Sequence, residues 1–133
     1  MISSKMLPLP GAIESVATNI VDSALLVHRQ LGPGLLECVY ETCLAYEIGK
    51  RGLKVDRQVQ VPLCYDRVRL ENELRLDFLV ESSVIVEIKA VEVMLPVHQA
   101  QLLTYLRLAN KPLGFLINFN VPLIKQGIKR MRL

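Results

Sequence analysis

Tryptophan is absent, and Phe and Tyr together make up only 5% of the 133 residues. Because 51% of the chain is hydrophobic, the core must be aliphatic, built from Leu, Ile and Val. Charged residues make up 22%, near the usual quarter for globular chains, which excludes intrinsic disorder. Long apolar runs are missing too. The longest stretch without a formal charge, Val93 to Leu106, has 14 residues and is broken by Pro96, His98 and Gln99. The next, Pro112 to Ile124, has 13. A spanning helix needs roughly 20 apolar residues, so neither can cross a membrane. Met1 to Gly11 contains one Lys and two prolines, without the apolar stretch of a secretory signal. The expectation is a soluble, cytoplasmic protein. Cysteine is scarce: Cys38, Cys43 and Cys64 are odd in number and form no Cys-x-x-Cys pair. This predicts reduced, mostly buried thiols, with no disulfide framework and no zinc site.

Acid is missing from one end. Residues 1–92 carry 10 basic and 13 acidic residues, whereas residues 93–133 carry Arg107, Lys111, Lys125, Lys129, Arg130 and Arg132 with no acid. Such a basic end is either a solvated face or a phosphate-binding surface. The length suits one domain, expected over residues 13–133 after an N-terminal extension of residues 1–12.

Apolar residues at Ile13, Val16, Ala17, Ile20, Ala24, Val27 and Leu31 follow a helical period, stopped by Gly32-Pro33-Gly34. A second helix is predicted from Leu35 to Arg51. From Lys54 the period changes to two, with Val55, Arg57, Val59 and Val61 on one side, which marks a strand ending near Pro62 to Tyr65. Asp66 to Glu73 is polar and turns or continues the meander. Leu74 to Val80 and Val84 to Ala90 read as a hairpin across Glu81-Ser82-Ser83. Pro96 opens a helix to Ala109, and Leu113 to Phe119 is a buried strand. Val121-Pro122 opens an expected last helix, with Leu123, Ile124 and Ile128 opposite Lys125, Lys129 and Arg130. The fold class is α/β with a mixed sheet.

Three charged residues fall on strands where apolar ones are expected: Asp77, Glu87 and Lys89. Residues 87 and 89 leave the same face of their strand, while Ile88 leaves the other. Hairpin register can bring Asp77 close to Glu87. Two carboxylates at one spot repel and call for a cation, and hard oxygen ligands select Mg²⁺ or Mn²⁺ over zinc. Lys89 beside them can orient water or stabilise charge on a phosphate. An isolated Glu-x-Lys would ordinarily be a solvated surface pair. Here the strand is otherwise almost continuously apolar, the mark of a strand covered on both faces.

An Asp on one strand followed by Glu-x-Lys on the next resembles the PD-(D/E)XK nuclease superfamily. Gly34-Leu35-Leu36-Glu37-Cys38-Val39-Tyr40 resembles the name-giving motif of the GxxExxY family of small prokaryotic proteins within it. Leu31 to Gly34, Val86 to Val91, Gln101 to Leu106 and Leu116 to Asn120 resemble that family as well. The likeness covers about residues 13–132. It implies a restriction-endonuclease-like αβββαβ core, with a mixed sheet flanked by helices. It implies a Mg²⁺- or Mn²⁺-dependent nuclease in which Asp77, Glu87, Glu37 and the Ile88 carbonyl hold the metal and Lys89 assists. Gln101 and Tyr105, four apart on one helical face, resemble a Gln-x-x-x-Tyr motif of recombination-type exonucleases, in which the Gln reaches the active site and the Tyr holds the strand.

Tyr40 could hydrogen-bond a carboxylate or a phosphate, or be a half-buried core residue. His98 could contact phosphate, or cap or pack its helix; His28 reads as structural. The expected partner is nucleic acid, DNA first, with Lys125, Lys129 and Arg130 on the backbone. A homodimer or partner protein would add surface for clamping a duplex. The competing readings are a non-catalytic nucleic-acid-binding or partner-binding module that keeps the nuclease fold, and a purely structural oligomeric protein.

Overall fold

A computed structural model describes residues 8–133. The expected extension falls partly outside these residues, since 1–7 are not described, and the first helix, α1, already starts at Gly11 and runs to Leu31. Its buried stripe, Val16, Ala17, Ile20, Ala24 and Val27, is the one set by the sequence period. The second helix, α2, is Glu37–Lys50, with Tyr40, Leu44 and Ile48 buried at spacings of four.

Strands follow at Val55–Gln60 (β1), Leu63–Tyr65 (β2), Val68–Leu70 (β3), Arg75–Val80 (β4) and Val84–Lys89 (β5). Helix α3 is Pro96–Ala109, and the last strands are Leu113–Asn118 (β6) and Ile128–Arg132 (β7). β2 and β3 form a small separate hairpin, so Asp66 to Glu73 both turns and continues the chain's meander. The main sheet has the order β1-β4-β5-β6-β7. Only β5 and β6 in it run parallel, joined by the α3 crossover.

Two cores cover the two faces. On one, α1 and α2 pack on Phe78, Val80, Val86, Ile88, Phe115 and Ile117. On the other, Leu102, Tyr105 and Leu106 of α3 pack on Leu76, Ile85 and Leu116. Every residue of β6 and five of the six in β5 are buried, which accounts for their nearly unbroken apolar sequence. The order α2-β1-β4-β5-α3-β6 is the restriction-endonuclease-like αβββαβ core. No helix among the described residues is long and apolar enough to cross a membrane.

Three expectations are corrected. The last helix does not exist. Ile124–Gly127 makes one 3-10 turn, and Ile128–Arg132 then adds β7 antiparallel to β6. The open edge of β6 supplies backbone partners that an isolated helix could not match, and Gly127 fits there because a Cβ would lie 2.1 Å from the Asn118 carbonyl oxygen. Period two also fails within β1. Val55 packs toward α1 and α2, but Val59 and Val61 pack in the α3 core. Finally, Cys38 and Cys64 are exposed and Cys43 is half-buried, because α2 turns Cys38 to solvent and β2 lies in the outlying hairpin.

Candidate active site

The β4–β5 ladder runs from Val80↔Val84 to Phe78↔Val86 and stops there. Side chains replace the next backbone bonds. The Asp77 N–H donates to Glu87 Oε2 at 2.7 Å, and the Ile88 N–H donates to Asp77 Oδ2 at 2.8 Å. The two carboxylates thus bind across the gap where the strands part, and each keeps a second oxygen outside these bonds. Asp77 and Glu87 are brought together as the hairpin register predicted.

Glu87 is only 5% exposed. Burial, and then the neighbouring Asp77 charge, push its carboxyl up to about 8. Burial also raises Asp77 above the ordinary carboxylate range. Glu37, in the first turn of α2, is raised by burial and by the charge of Asp77, while it accepts a hydrogen bond from the Ala90 backbone. Lys89 draws all three carboxyls downward by its charge, without an ion pair to them among the described residues. Three carboxyls therefore crowd a place where water screens charge poorly, and burial favours their protonated forms, Glu87 above all, as long as no cation joins them. Tyr105 of α3 is 8% exposed, and burial followed by the charges of Glu87 and Asp77 raises its phenol.

A cleft of about 290 Å³ opens on the α2 side, lined by Glu37, Cys38, Glu41, Gln58, Asp77 and Ile88. Glu41 and Gln58 are not among the residues that the sequence motifs mark. Glu41 lies four residues after Glu37, a spacing that puts it on the same helical face and is a usable signal. Gln58 gives no such signal. Asn118, at the end of β6 in register with Lys89, is buried and grips the segment after Lys89. Its amide donates to the Val91 carbonyl at 2.9 Å and accepts from the Val91 N–H at 3.1 Å.

Other predicted residues stand elsewhere. Tyr40 is fully buried. It stacks on Phe119 at 4.6 Å, donates to the Gly32 carbonyl at 2.6 Å and accepts from the Leu35 N–H. Its hydroxyl braces the turn before Glu37, which corrects the expected contact with nucleic acid. His98 Nδ1 accepts from the Leu95 N–H at 3.1 Å and caps α3. His28 bonds the Val121 carbonyl at 2.8 Å and is structural. Gln101 is exposed one turn before Tyr105, and no hydrogen bond ties it to the carboxylates. Arg130 is paired with Glu14 of α1, so one charge of the basic end is compensated from the other end of the chain. Lys125 and Lys129 are exposed.

The donor set fits a hard cation. Among the described residues, no three Asp, Glu, His or Cys side chains are arranged to hold an ion by themselves, so the expected cage is not closed. Mg²⁺ does not require one, since it keeps several waters and takes one or two carboxylates. Asp77 and Glu87 are two such carboxylates, side by side and desolvated, and no ion pair joins either to a cation among the described residues.

A family model described as the PD-(D/E)XK nuclease superfamily matches residues 14–131. A search of curated proteins returns no match. A search of solved structures returns none either. The match spans nearly the whole chain, including both strands that part at Asp77 and Glu87, and on this ground the chain belongs to the PD-(D/E)XK nuclease superfamily.

Proposed function

We propose that this protein is a divalent-metal-dependent nuclease that hydrolyses phosphodiester bonds, with DNA as its substrate, and that it belongs to the GxxExxY family. One observation carries the reading. Glu87 is buried beside Asp77, with no cation paired to either among the described residues, at the point where the central strands separate. Burying like charges is costly unless something compensates them. A module that only bound nucleic acid would gain nothing from that cost.

Asp77, Glu87 and the Ile88 carbonyl would hold Mg²⁺ or Mn²⁺, with Glu37 at the margin of the site. A bound divalent ion supplies Lewis acidity, which offsets phosphate charge and acidifies water. Lys89, half-buried and in no ion pair among the described residues, carries a positive charge beside the carboxylates. Its part is to stabilise charge that grows on the phosphate as the bond breaks, or to orient the attacking water. Tyr105, whose hydroxyl has no hydrogen-bond partner among the described residues, faces the same gap and holds the strand from the α3 side. Gln101, exposed one turn before Tyr105, would meet the substrate from α3. Lys125 and Lys129 contact the backbone outside the cleft.

The test is Mn²⁺ calorimetry together with cleavage of a labelled oligodeoxynucleotide, on wild type and Glu87→Ala. Wild type should bind and cleave, and the variant should do neither. Equal ion binding by both would reject the assignment.

A further inference from the structure

Gln58 has a backbone φ of +53°, in the left-handed region. The other described non-glycine residues with positive φ are Asp66, Glu81, Ser82 and Asn110, which lie in turns or at a helix end. Gln58 alone among them lies inside a strand. A residue with a Cβ is strained there, and such strain persists where the surroundings impose it.

The consequence is a change of face. Strict alternation after Val55 and Arg57 would send residue 58 toward α3. Instead its amide nitrogen donates to Glu41 Oε1 of α2 at 2.5 Å. β4 makes the same change at the matching place, since Leu76 lies in the α3 core and Phe78 in the α1–α2 core. The β1–β4 register pairs Arg57 with Phe78 and Val59 with Leu76, and the rung between them, Gln58 opposite Asp77, is absent from the ladder. The two kinks coincide. They turn Gln58 and Asp77 into one cleft, together with Glu37 and Glu41. Glu41 is held in turn by Arg57, whose guanidinium donates to its Oε2 at 3.0 Å.

We propose that Gln58 is a positioning residue for the cation site: its left-handed backbone and its amide, anchored on Glu41, fix where Asp77 presents its carboxylate. This rests on the reading of the site as metal-dependent. Glu41 is already engaged by Arg57 and Gln58, so it acts as the anchor and not as a ligand. Partners that orient metal ligands commonly change ion affinity by about 10- to 100-fold when removed.

Gln58→Gly separates position from stability. Glycine adopts positive φ without steric cost, so the kink remains while the amide is lost. The expected result is a melting temperature no lower than wild type, with Mn²⁺ affinity by calorimetry reduced about 10- to 100-fold. Gln58→Asn, which tolerates the same backbone but is one methylene shorter, should also melt normally and bind weakly. Unchanged Mn²⁺ affinity in both variants would overturn the proposal. So would a large loss of melting temperature in Gln58→Gly, because Gln58 would then be a structural brace. Failure of the wild type itself to bind Mn²⁺ would overturn the metal-site reading, and this proposal with it.

Discussion

Replacing Glu87 with Gln should stabilise the metal-free protein, and by more as pH rises. The amide keeps the shape of the carboxylate and can still accept the Asp77 N–H, but it carries no charge. Glu87 stands at about 8 in the folded chain, against 4.5 when solvated. At 1.36 kcal/mol per unit, that difference is worth about 5 kcal/mol at most. The sign follows from linkage. A carboxyl raised on folding holds its proton in the native state at pH values where the unfolded chain has lost it. Stability is therefore full below about 4.5, falls as pH rises, and reaches its floor above about 8. Glu87→Gln escapes this loss. The two proteins should unfold alike near pH 4.5, and the variant should be more stable by about 2–5 kcal/mol at pH 9. For a chain of this length each kcal/mol moves the melting temperature by about 3–4 °C, well within reach of circular dichroism. Mn²⁺ should narrow the difference, and reverse it wherever it is below about 2.7 kcal/mol. At 100 times its dissociation constant a ligand adds about 2.7 kcal/mol to the protein that binds it, and only wild type should gain. Parallel stability curves from pH 5 to pH 9 for the two proteins would refute the reasoning.

Lys89→Ala should reduce kcat by about 10²- to 10³-fold while Mn²⁺ affinity stays close to wild type, since its charge is needed where phosphate charge develops; full activity in a gel cleavage assay would remove Lys89 from the mechanism. Tyr40→Phe deletes a hydroxyl that serves both Gly32 and Leu35, and should cost about 1–3 kcal/mol in urea unfolding without changing the salt dependence of DNA binding. Lys125→Ala with Lys129→Ala should weaken DNA binding across sequences and lower the slope of log affinity against log salt by about 1–2. Arg130 is left out of that test because its replacement would also release Glu14. An unchanged salt slope by fluorescence anisotropy would confine both lysines to solubility.

Periodicity located the elements whose partners lie near in sequence. The buried stripe of α1, the apolar run of β6 and the β4–β5 hairpin were all legible, and so was the convergence of Asp77 and Glu87. β7 was not, because its sequence, Ile-Lys-Arg-Met-Arg, shows no alternation and only the open edge of β6 makes it a strand. Gly127 was the available warning, since a glycine there marks a close backbone approach. Arg130 reads as uncompensated in the sequence because its acid, Glu14, is more than a hundred residues away. The kink at Gln58 left no trace, since Gln is not a residue that announces positive φ. Tyr40 was ambiguous until its neighbours were known, as a phenol serves a loop and a ligand equally well.

The parted strands also bear on the order in which the chain assembles. The β4–β5 hairpin can close early, zipping from Glu81-Ser82-Ser83 down to Phe78 and Val86 through contacts close in sequence. The zipper halts at the carboxylates, whose side chains take over the backbone bonds. Full burial of Glu87 must then wait for β6, which arrives in parallel only after α3 has crossed over. The late step is thus also the step that desolvates a charge, and refolding in stopped flow should slow between pH 5 and pH 9 in wild type more than in Glu87→Gln. Equal pH dependence would mean that β6 docks before the hairpin is complete.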